Sequence, residues 1–382
     1  MTQTTQRAGL YIHIPFCRKK CAYCNFYSVT AAHRIPEFLA ALKREMDYYR
    51  NFWPEYDTLY FGGGTPSLLT PDQLADLLQK IRQTFSFTPS PEYTIEVNPD
   101  DATLSFLQGL RSLGFNRLSL GVQSLQDKTL NWLGRRHNAA QAIQAIEWAR
   151  KAGFSNLGID VIYGLPEKSI NGSLTLWLKE LDYILHYTPE HISCYQLSFE
   201  PHTPLALRQR KKLVKPLSER KESLYFLETA QKLESAGYLH YEVSNFSRTE
   251  KYTSRHNQKY WQHLPYLGLG PSAHSFRPNQ RQWNQRSLSQ YLDDMQKGIT
   301  PVAGKENLGA EELRLETLYF GFRTRRGLDL KNFQQQFGQD LLKNPPGLAY
   351  RLIQENTLTL HQKKLCPTSR GLALADSLAL LW

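Results

Sequence analysis

Cysteine is scarce in this chain, with five in 382 residues, and methionine is scarcer, at three. So few cysteines exclude the disulfide framework of a small secreted domain. Long apolar runs are missing too; nothing approaches the roughly 20 residues that cross a bilayer. The opening Met-Thr-Gln-Thr-Thr-Gln-Arg lacks the apolar stretch of a signal peptide, so a cytoplasmic location is expected. There is no internal repeat and no low-complexity tract. Acidic residues are in deficit, 35 against 46 Lys and Arg, giving a net charge of +11 and pointing to an anionic partner. The basic residues are dispersed, with local concentrations over 208–215 and at Arg323, Arg325 and Arg326. Without regular spacing or interleaved aromatics they argue against nucleic acid. A carboxylated small molecule is expected instead, and peripheral contact with an anionic membrane surface is open.

Three of the five cysteines crowd into one segment. Cys17, Cys21 and Cys24 stand at C-x3-C-x2-C just after the strand-like run Tyr11-Ile-His-Ile-Pro-Phe. Soft thiolates select iron–sulfur clusters, zinc or copper(I). Three ligands leave one position of a four-iron cube, or of a tetrahedral zinc, without a protein donor. A zinc site completed by His13 or His33 is the alternative to a cluster. Cys194 and Cys366 are isolated and read as small hydrophobes.

From residue 10 to about 200, short β-branched or apolar runs alternate with longer helical patterns. Strands are expected over 10–14, 58–61, 93–97, 117–121, 156–162 and 191–196. Helices are expected over 36–51, 71–85, 103–113, 139–151 and 173–186. Thr70-Pro71-Asp72 opens one helix, while Gly114 and Gly153 close two others. This alternation predicts an α/β fold with a parallel sheet. Six strand–helix units fall short of the eight of a closed barrel, so a partial, TIM-like (βα)6 barrel is favoured over residues 1–200. The alternation fades in 201–304, where 221–236 reads as a helix and 238–284 is rich in aromatics, Asn, Ser, His and Gly. Helices resume over 305–382, with a small hairpin from 358–360 and 365–367, as in a winged-helix-like C-terminal domain.

Informative residues recur just after the strands: the cysteines, Gly62-Gly63-Gly64-Thr65-Pro66-Ser67, Asn98, Gln123 and Gly164-Leu165-Pro166. Ligands of parallel α/β folds bind at these carboxyl ends. Side-chain-free glycines let the backbone approach a ligand closely. Arg135 suits a carboxylate, and Glu96 and Asp160 suit hydroxyls or an ammonium group; taken singly, each equally describes an ion pair or a helix cap.

The cysteine triplet and the glycine loop together resemble the radical S-adenosylmethionine (SAM) superfamily. That resemblance implies a 4Fe–4S cluster held by Cys17, Cys21 and Cys24, with SAM at the remaining iron. Over nearly the whole chain the sequence further resembles the oxygen-independent coproporphyrinogen oxidases and their relatives, the HemW heme chaperones. Gly121-Val-Gln-Ser124 and Asp160-Val-Ile-Tyr-Gly-Leu-Pro166 carry the likeness with the motifs above. By position it implies SAM contacts from Tyr11, Tyr23, Gly63, Gly64, Thr65, Glu96, Gln123, Arg135 and Asp160. Two departures separate the chain from the oxidases: Phe26 stands where they have a further cysteine, and the first strand begins near residue 10, without their longer N-terminal extension.

A third motif, His256-Asn-Gln-Lys-Tyr-Trp261, matches the H-N-x-x-Y-W of the chaperones, where it is associated with heme. Imidazole is a common axial ligand, and Tyr260 and Trp261 offer flat apolar surface, with Arg255 and Lys259 for the propionates. By chemistry alone the same motif describes a packed aromatic cluster around a hydrogen-bonded histidine. With the resemblance, the expected function is heme binding and transfer to acceptors such as respiratory-chain proteins, with an electron donor for the cluster, as monomer or homodimer. Oxidative decarboxylation of coproporphyrinogen propionates is the alternative.

Overall fold

The computed structural model describes residues 6–166 and 172–382; Met1 to Thr5, the start of the segment read above for a signal peptide, lies outside the described residues. Six parallel strands form the centre: β1 (Ala8–Ile14), β2 (Tyr56–Gly63), β3 (Phe87–Val97), β4 (Arg117–Gln123), β5 (Leu157–Tyr163) and β6 (His191–Gln196). Around them lie α1 (Ile35–Tyr48), α2 (Pro71–Thr84), α3 (Leu104–Leu113), α4 (Asp127–Leu133), α5 (Ala139–Lys151) and α6 (Leu174–His186). This is the expected partial barrel. Strands β1 and β6 do not pair with each other. Instead β1 pairs in parallel with β9 (Tyr266–Leu269), and β6 pairs with β8 (Asn245–Ser247), itself paired with β7 (Leu239–Glu242). Beyond β9 come β10 (His274–Arg277), β11 (Gln280–Asn284) and β12 (Val302–Asn307), making one twelve-stranded sheet.

The helices form where caps and apolar faces agree. In α2, Thr70 and Gln73 close a reciprocal capping box, Pro71 takes the first turn, and Leu74, Leu77, Leu78 and Ile81 are buried. Each such side chain contributes roughly 2 kcal/mol by burial, more than the ~1 kcal/mol of the cap, so the apolar face decides the docking.

Each barrel strand has two characters. In β1, Leu10, Ile12 and Ile14 are fully buried in the main hydrophobic core with Phe38 and Leu42 of α1. The alternate residues Gly9, Tyr11 and His13 face the barrel interior, beside Thr58 and Tyr60 of β2. The interior is therefore lined by polar side chains: Glu92 and Glu96 of β3, Ser119 of β4, Asp160 of β5, His191 and Ser193 of β6. Period-2 alternation puts aliphatics under the helices and chemistry on the axis.

The segment after β6 carries α7 (Pro204–Arg210), α8 (Glu219–Ser235) and α9 (Arg255–Trp261). After α10 (Leu288–Gln296) and β12, α11 (Ala310–Gly321) opens a C-terminal region of short helices. Its three-stranded sheet joins β13 (Leu328–Asp329), β15 (Lys364–Pro367) and β14 (Leu358–His361), including the expected hairpin. A second hydrophobic cluster holds it, with Leu318, Phe322, Phe333, Leu352 and Leu365 at its centre.

Candidate functional site

The three cysteines lie on the loop after β1. Its ends are tied by the Cys17 N–H donating to the Val29 carbonyl (3.0 Å) and the Val29 N–H donating to the Pro15 carbonyl (2.8 Å). Its middle is anchored at Ala22, whose N–H donates to Leu133 at the end of α4 and whose carbonyl accepts from the Leu205 N–H of α7. Two cysteines already have partners of the kind a thiolate wants: Thr65 Oγ1 donates to Cys17 Sγ (3.3 Å), and Arg135 Nη1 to Cys21 Sγ (3.6 Å). Burial pushes the Cys24 thiol up to about 11, and the neighbouring Cys21 and Cys17 add to it. Among the described residues no three His, Cys, Asp or Glu side chains converge on one ion. The zinc alternative also loses its proposed fourth ligand. Both ring nitrogens of His13 are engaged, Nε2–H donating to the Tyr27 carbonyl (2.9 Å) and Nδ1 accepting from the Tyr11 hydroxyl (3.3 Å), while His33 is exposed.

The glycine loop follows β2 and lies against the end of β1. Gly63 has φ +106, and a Cβ there would stand 2.5 Å from the His13 ring. A Cβ on Gly64 would meet the Ile14 and Phe16 carbonyl oxygens at 2.7 Å, so only glycine permits this approach. Ser67 locks the loop to the next strand, donating to Asp101 (2.9 Å) and accepting from the Asn98 N–H (3.2 Å).

A cavity of about 380 Å³ opens beside the cysteines at the carboxyl ends of the strands, within the usual size of small-molecule sites. Tyr23, Gly63, Gly64, Thr65, Glu96, Gln123, Arg135 and Asp160 all line it, as do Cys24 and Phe26. Glu96 accepts from the Tyr60 hydroxyl (2.8 Å); burial first, and Asp160 second, push its carboxyl up to about 7. Asp160 accepts from Ser119 (2.9 Å) and is likewise raised by burial. Arg135 is aimed by Asn98 Oδ1 (2.6 Å) and the Gly121 carbonyl (2.8 Å), with its Nε buried and unpartnered. Gln123 is held at φ +63, a left-handed conformation that costs a non-glycine residue about 1–3 kcal/mol and is often kept at ligand sites. Carboxylates, a buried guanidinium and close backbone together suit a zwitterion bearing hydroxyls.

The remaining expected residues lie elsewhere. Tyr11 does not line the cavity; it sits deeper in the barrel, stacked on Tyr60 and His256 at 6.0 and 6.1 Å. His256 lies at the opposite, N-terminal end of the strands. It is 1% exposed, its Nδ1 is paired with Thr58 Oγ1 (2.8 Å) and its Nε2 with the Tyr260 hydroxyl (2.9 Å). Its backbone N–H donates to Glu92, and Lys259 reaches Asp57 (2.6 Å) and the Arg7 carbonyl (3.0 Å). Helix α9 thus plugs the barrel floor, and His256 and Tyr260 are held inside it while Trp261 is turned away. Sequence reasoning missed Tyr60 and Ser119, which hold Glu96 and Asp160, and Tyr195, which lines the cavity. Their signal was the alternation of polar residues along the strands.

Residues 11–173 match the radical SAM superfamily model, and residues 308–374 match the HemN C-terminal domain. The chain is 34% identical over 379 residues to the heme chaperone HemW of Mycobacterium tuberculosis, covering 97% of this chain and 94% of that one. The chain belongs to the heme chaperone HemW family. HemW of Bacillus subtilis is 32% identical over 380 residues, covering 96% of each chain. In fold the chain is similar to the coproporphyrinogen III oxidase HemN of Escherichia coli, at a TM-score of 0.82 and 23% identity over 98% of this chain and 89% of that one. The radical SAM family implies a 4Fe–4S cluster and SAM, and the donor set fits both: three thiols beside Thr65 and Arg135, with a polar cavity next to them. Among the described residues no helix is long and apolar enough to cross a membrane.

Proposed function

We propose that this chain binds heme, a 4Fe–4S cluster and SAM, and transfers heme to acceptor proteins, as the HemW name describes. The observation that carries the reading is the complete polar cavity beside three cysteines, with Phe26, 63% exposed, where the oxidases have a further cysteine. Cys17, Cys21 and Cys24 hold the cluster in this reading. Glu96, Asp160 and Arg135, with the backbone at Gly63 and Gly64, bind the SAM zwitterion and ribose, while Tyr23, Thr65 and Gln123 shape the walls. Held by those three thiolates, a cluster would supply the one-electron reducing chemistry that SAM requires. The chain's own residues orient SAM, exclude water and balance its charges, Arg135 against the carboxylate and an ionised Glu96 or Asp160 against the ammonium group. Heme goes to acceptors such as respiratory-chain proteins, with a separate electron donor serving the cluster.

The test is anaerobic. After cluster reconstitution, heme should give a saturable Soret change, and coproporphyrinogen III with SAM and a reductant should remain unconverted. Appreciable protoporphyrinogen formation would establish the oxidase instead. Cys21→Ala should abolish the visible charge-transfer absorbance of the cluster.

A further inference from the structure

The motif helix α9 has two faces, and only one is committed to the barrel. His256 and Tyr260 are held on the axis, with both imidazole nitrogens engaged. Burial, with Lys259 beside it, drives the His256 imidazole down to about 3. Releasing an iron ligand from that position would strip Thr58 and Tyr260 of their partners and open the barrel floor. The other face, with Gln258, Trp261 and Gln262, lines a cavity of about 750 Å³, roughly twice the volume beside the cysteines.

This second cavity lies between α9, the β7 strand and the turn after α11. Its aromatic and apolar wall is Tyr238, Leu239, Tyr241 and Trp261; its cationic wall is Arg325 and Arg326. The Trp261 ring is fixed edge-on to Phe320 at 5.9 Å, and its indole N–H is buried without a hydrogen-bond partner. Arg325 is paired with Glu234 and Ser369, both at 2.5 Å, so the Arg325 and Glu234 charges offset each other. Arg326 is exposed and makes no ion pair among the described residues. The other acidic residue in the lining, Glu250, is also exposed. His240 contributes a neutral imidazole to the wall, stacked on Phe246 at 4.1 Å. Flat aromatic surface beside the Arg326 guanidinium, unpaired among the described residues, suits a planar ring carrying carboxylates.

We propose that this cavity, and not the buried His256, is where the chain holds its tetrapyrrole, with the ring against Trp261 and Tyr241 and a propionate toward Arg326. The inference rests on the heme-handling reading and assigns it a place. The motif then serves heme through Trp261 on one face of the helix, while His256 and Tyr260 close the barrel floor on the other. The cationic turn noted in the sequence also gains a role.

The experiment is a titration of the full chain with hemin, read by Soret absorbance, and with iron-free protoporphyrin IX, read by fluorescence. Iron-free porphyrin isolates ring and propionate recognition from ligation. Arg326→Glu, a surface change that leaves the core intact, should weaken both ligands about tenfold or more, because it replaces a charge-assisted contact by repulsion. Trp261→Ala should weaken both similarly, and the cluster absorbance should be unchanged in Arg326→Glu. His256→Asn should keep hemin affinity within about twofold of wild type. If Arg326→Glu and Trp261→Ala bind as wild type does, or if His256→Asn alone abolishes the Soret change, the assignment is overturned and heme binding itself still stands. If wild type shows no saturable Soret change, the heme-handling reading falls first.

Discussion

At the scale of single residues, His256 shows how one side chain can be placed by fold rather than by ligand. Its two ring nitrogens join Thr58 of β2 to Tyr260 of α9, and its ring lies against Tyr11 and Tyr60. His256→Ala removes buried ring volume and leaves two hydroxyls unpaired. A loss of about 2–4 kcal/mol is expected, read as a lowered urea midpoint with unchanged slope. Tyr60 extends the same contacts to Glu96, so Tyr60→Phe should weaken SAM binding without altering the cluster spectrum; an unchanged SAM affinity would show that Glu96 needs no such support. The cysteines, glycines and Arg135 were legible because their chemistry is written in residue type and spacing. Tyr60 was not, because its role exists only through the β2–β3 register that sets Tyr60 beside Thr94 and so near Glu96. His256 was legible as important and silent about direction, since i to i+4 spacing explains the Tyr260 contact equally well in a heme pocket or in a barrel floor.

At the scale of elements, the six barrel strands and five of the helices around them could be read from their apolar faces, whereas the short α4, Asp127–Leu133, could not; β6 and α5 fall at the expected bounds, His191–Gln196 and Ala139–Lys151. Strand β3 begins earlier than expected, at Phe87, because Pro89 and Pro91 lie where its register with β2 shifts and a missing N–H is tolerated. Strands β7 to β11 are three to five residues long and stayed hidden in the aromatic-rich stretch, and the six-residue β12 follows it. Their pairing is set by distant partners. Glu45 of α1 illustrates this: it accepts from the Gly270 N–H after β9 (2.8 Å), Asn284 of β11 (2.5 Å) and Tyr291 of α10 (2.7 Å). Burial pushes its carboxyl up to about 7 from an ordinary 4.5. The folded state therefore keeps a proton that the unfolded chain releases, and stability falls as pH rises between those values. Glu45→Gln should flatten that decline, by at most about 1.4 kcal/mol per pH unit. Denaturation midpoints at pH 5 and 7.5 measure it, and an identical slope in the variant would assign the decline to other carboxyls such as Glu96 and Glu242.

At the scale of the whole molecule, two hydrophobic clusters divide the labour. The larger supports the barrel and its cysteine-bearing face, and the smaller holds the C-terminal region around Phe322. Phe322 directly precedes the Arg323–Arg326 turn and packs on Trp382 at 5.2 Å. Phe322→Ala should cost roughly 3–5 kcal/mol and loosen that turn. Heme affinity should fall while the charge-transfer band of the cluster persists; loss of both together would show that the two clusters fold as one. The plugged barrel has a further consequence. Seven residues of β1 separate the floor from the cysteine end, roughly 20 Å of strand at 3.3 Å per residue. A tetrapyrrole seated outside the plug and a reductively activated sulfonium inside the well would face each other only through an insulating wall of packed tyrosines and histidines. On that proposal, the same helix that carries the heme-associated motif would be the partition between the iron of the cargo and the SAM well.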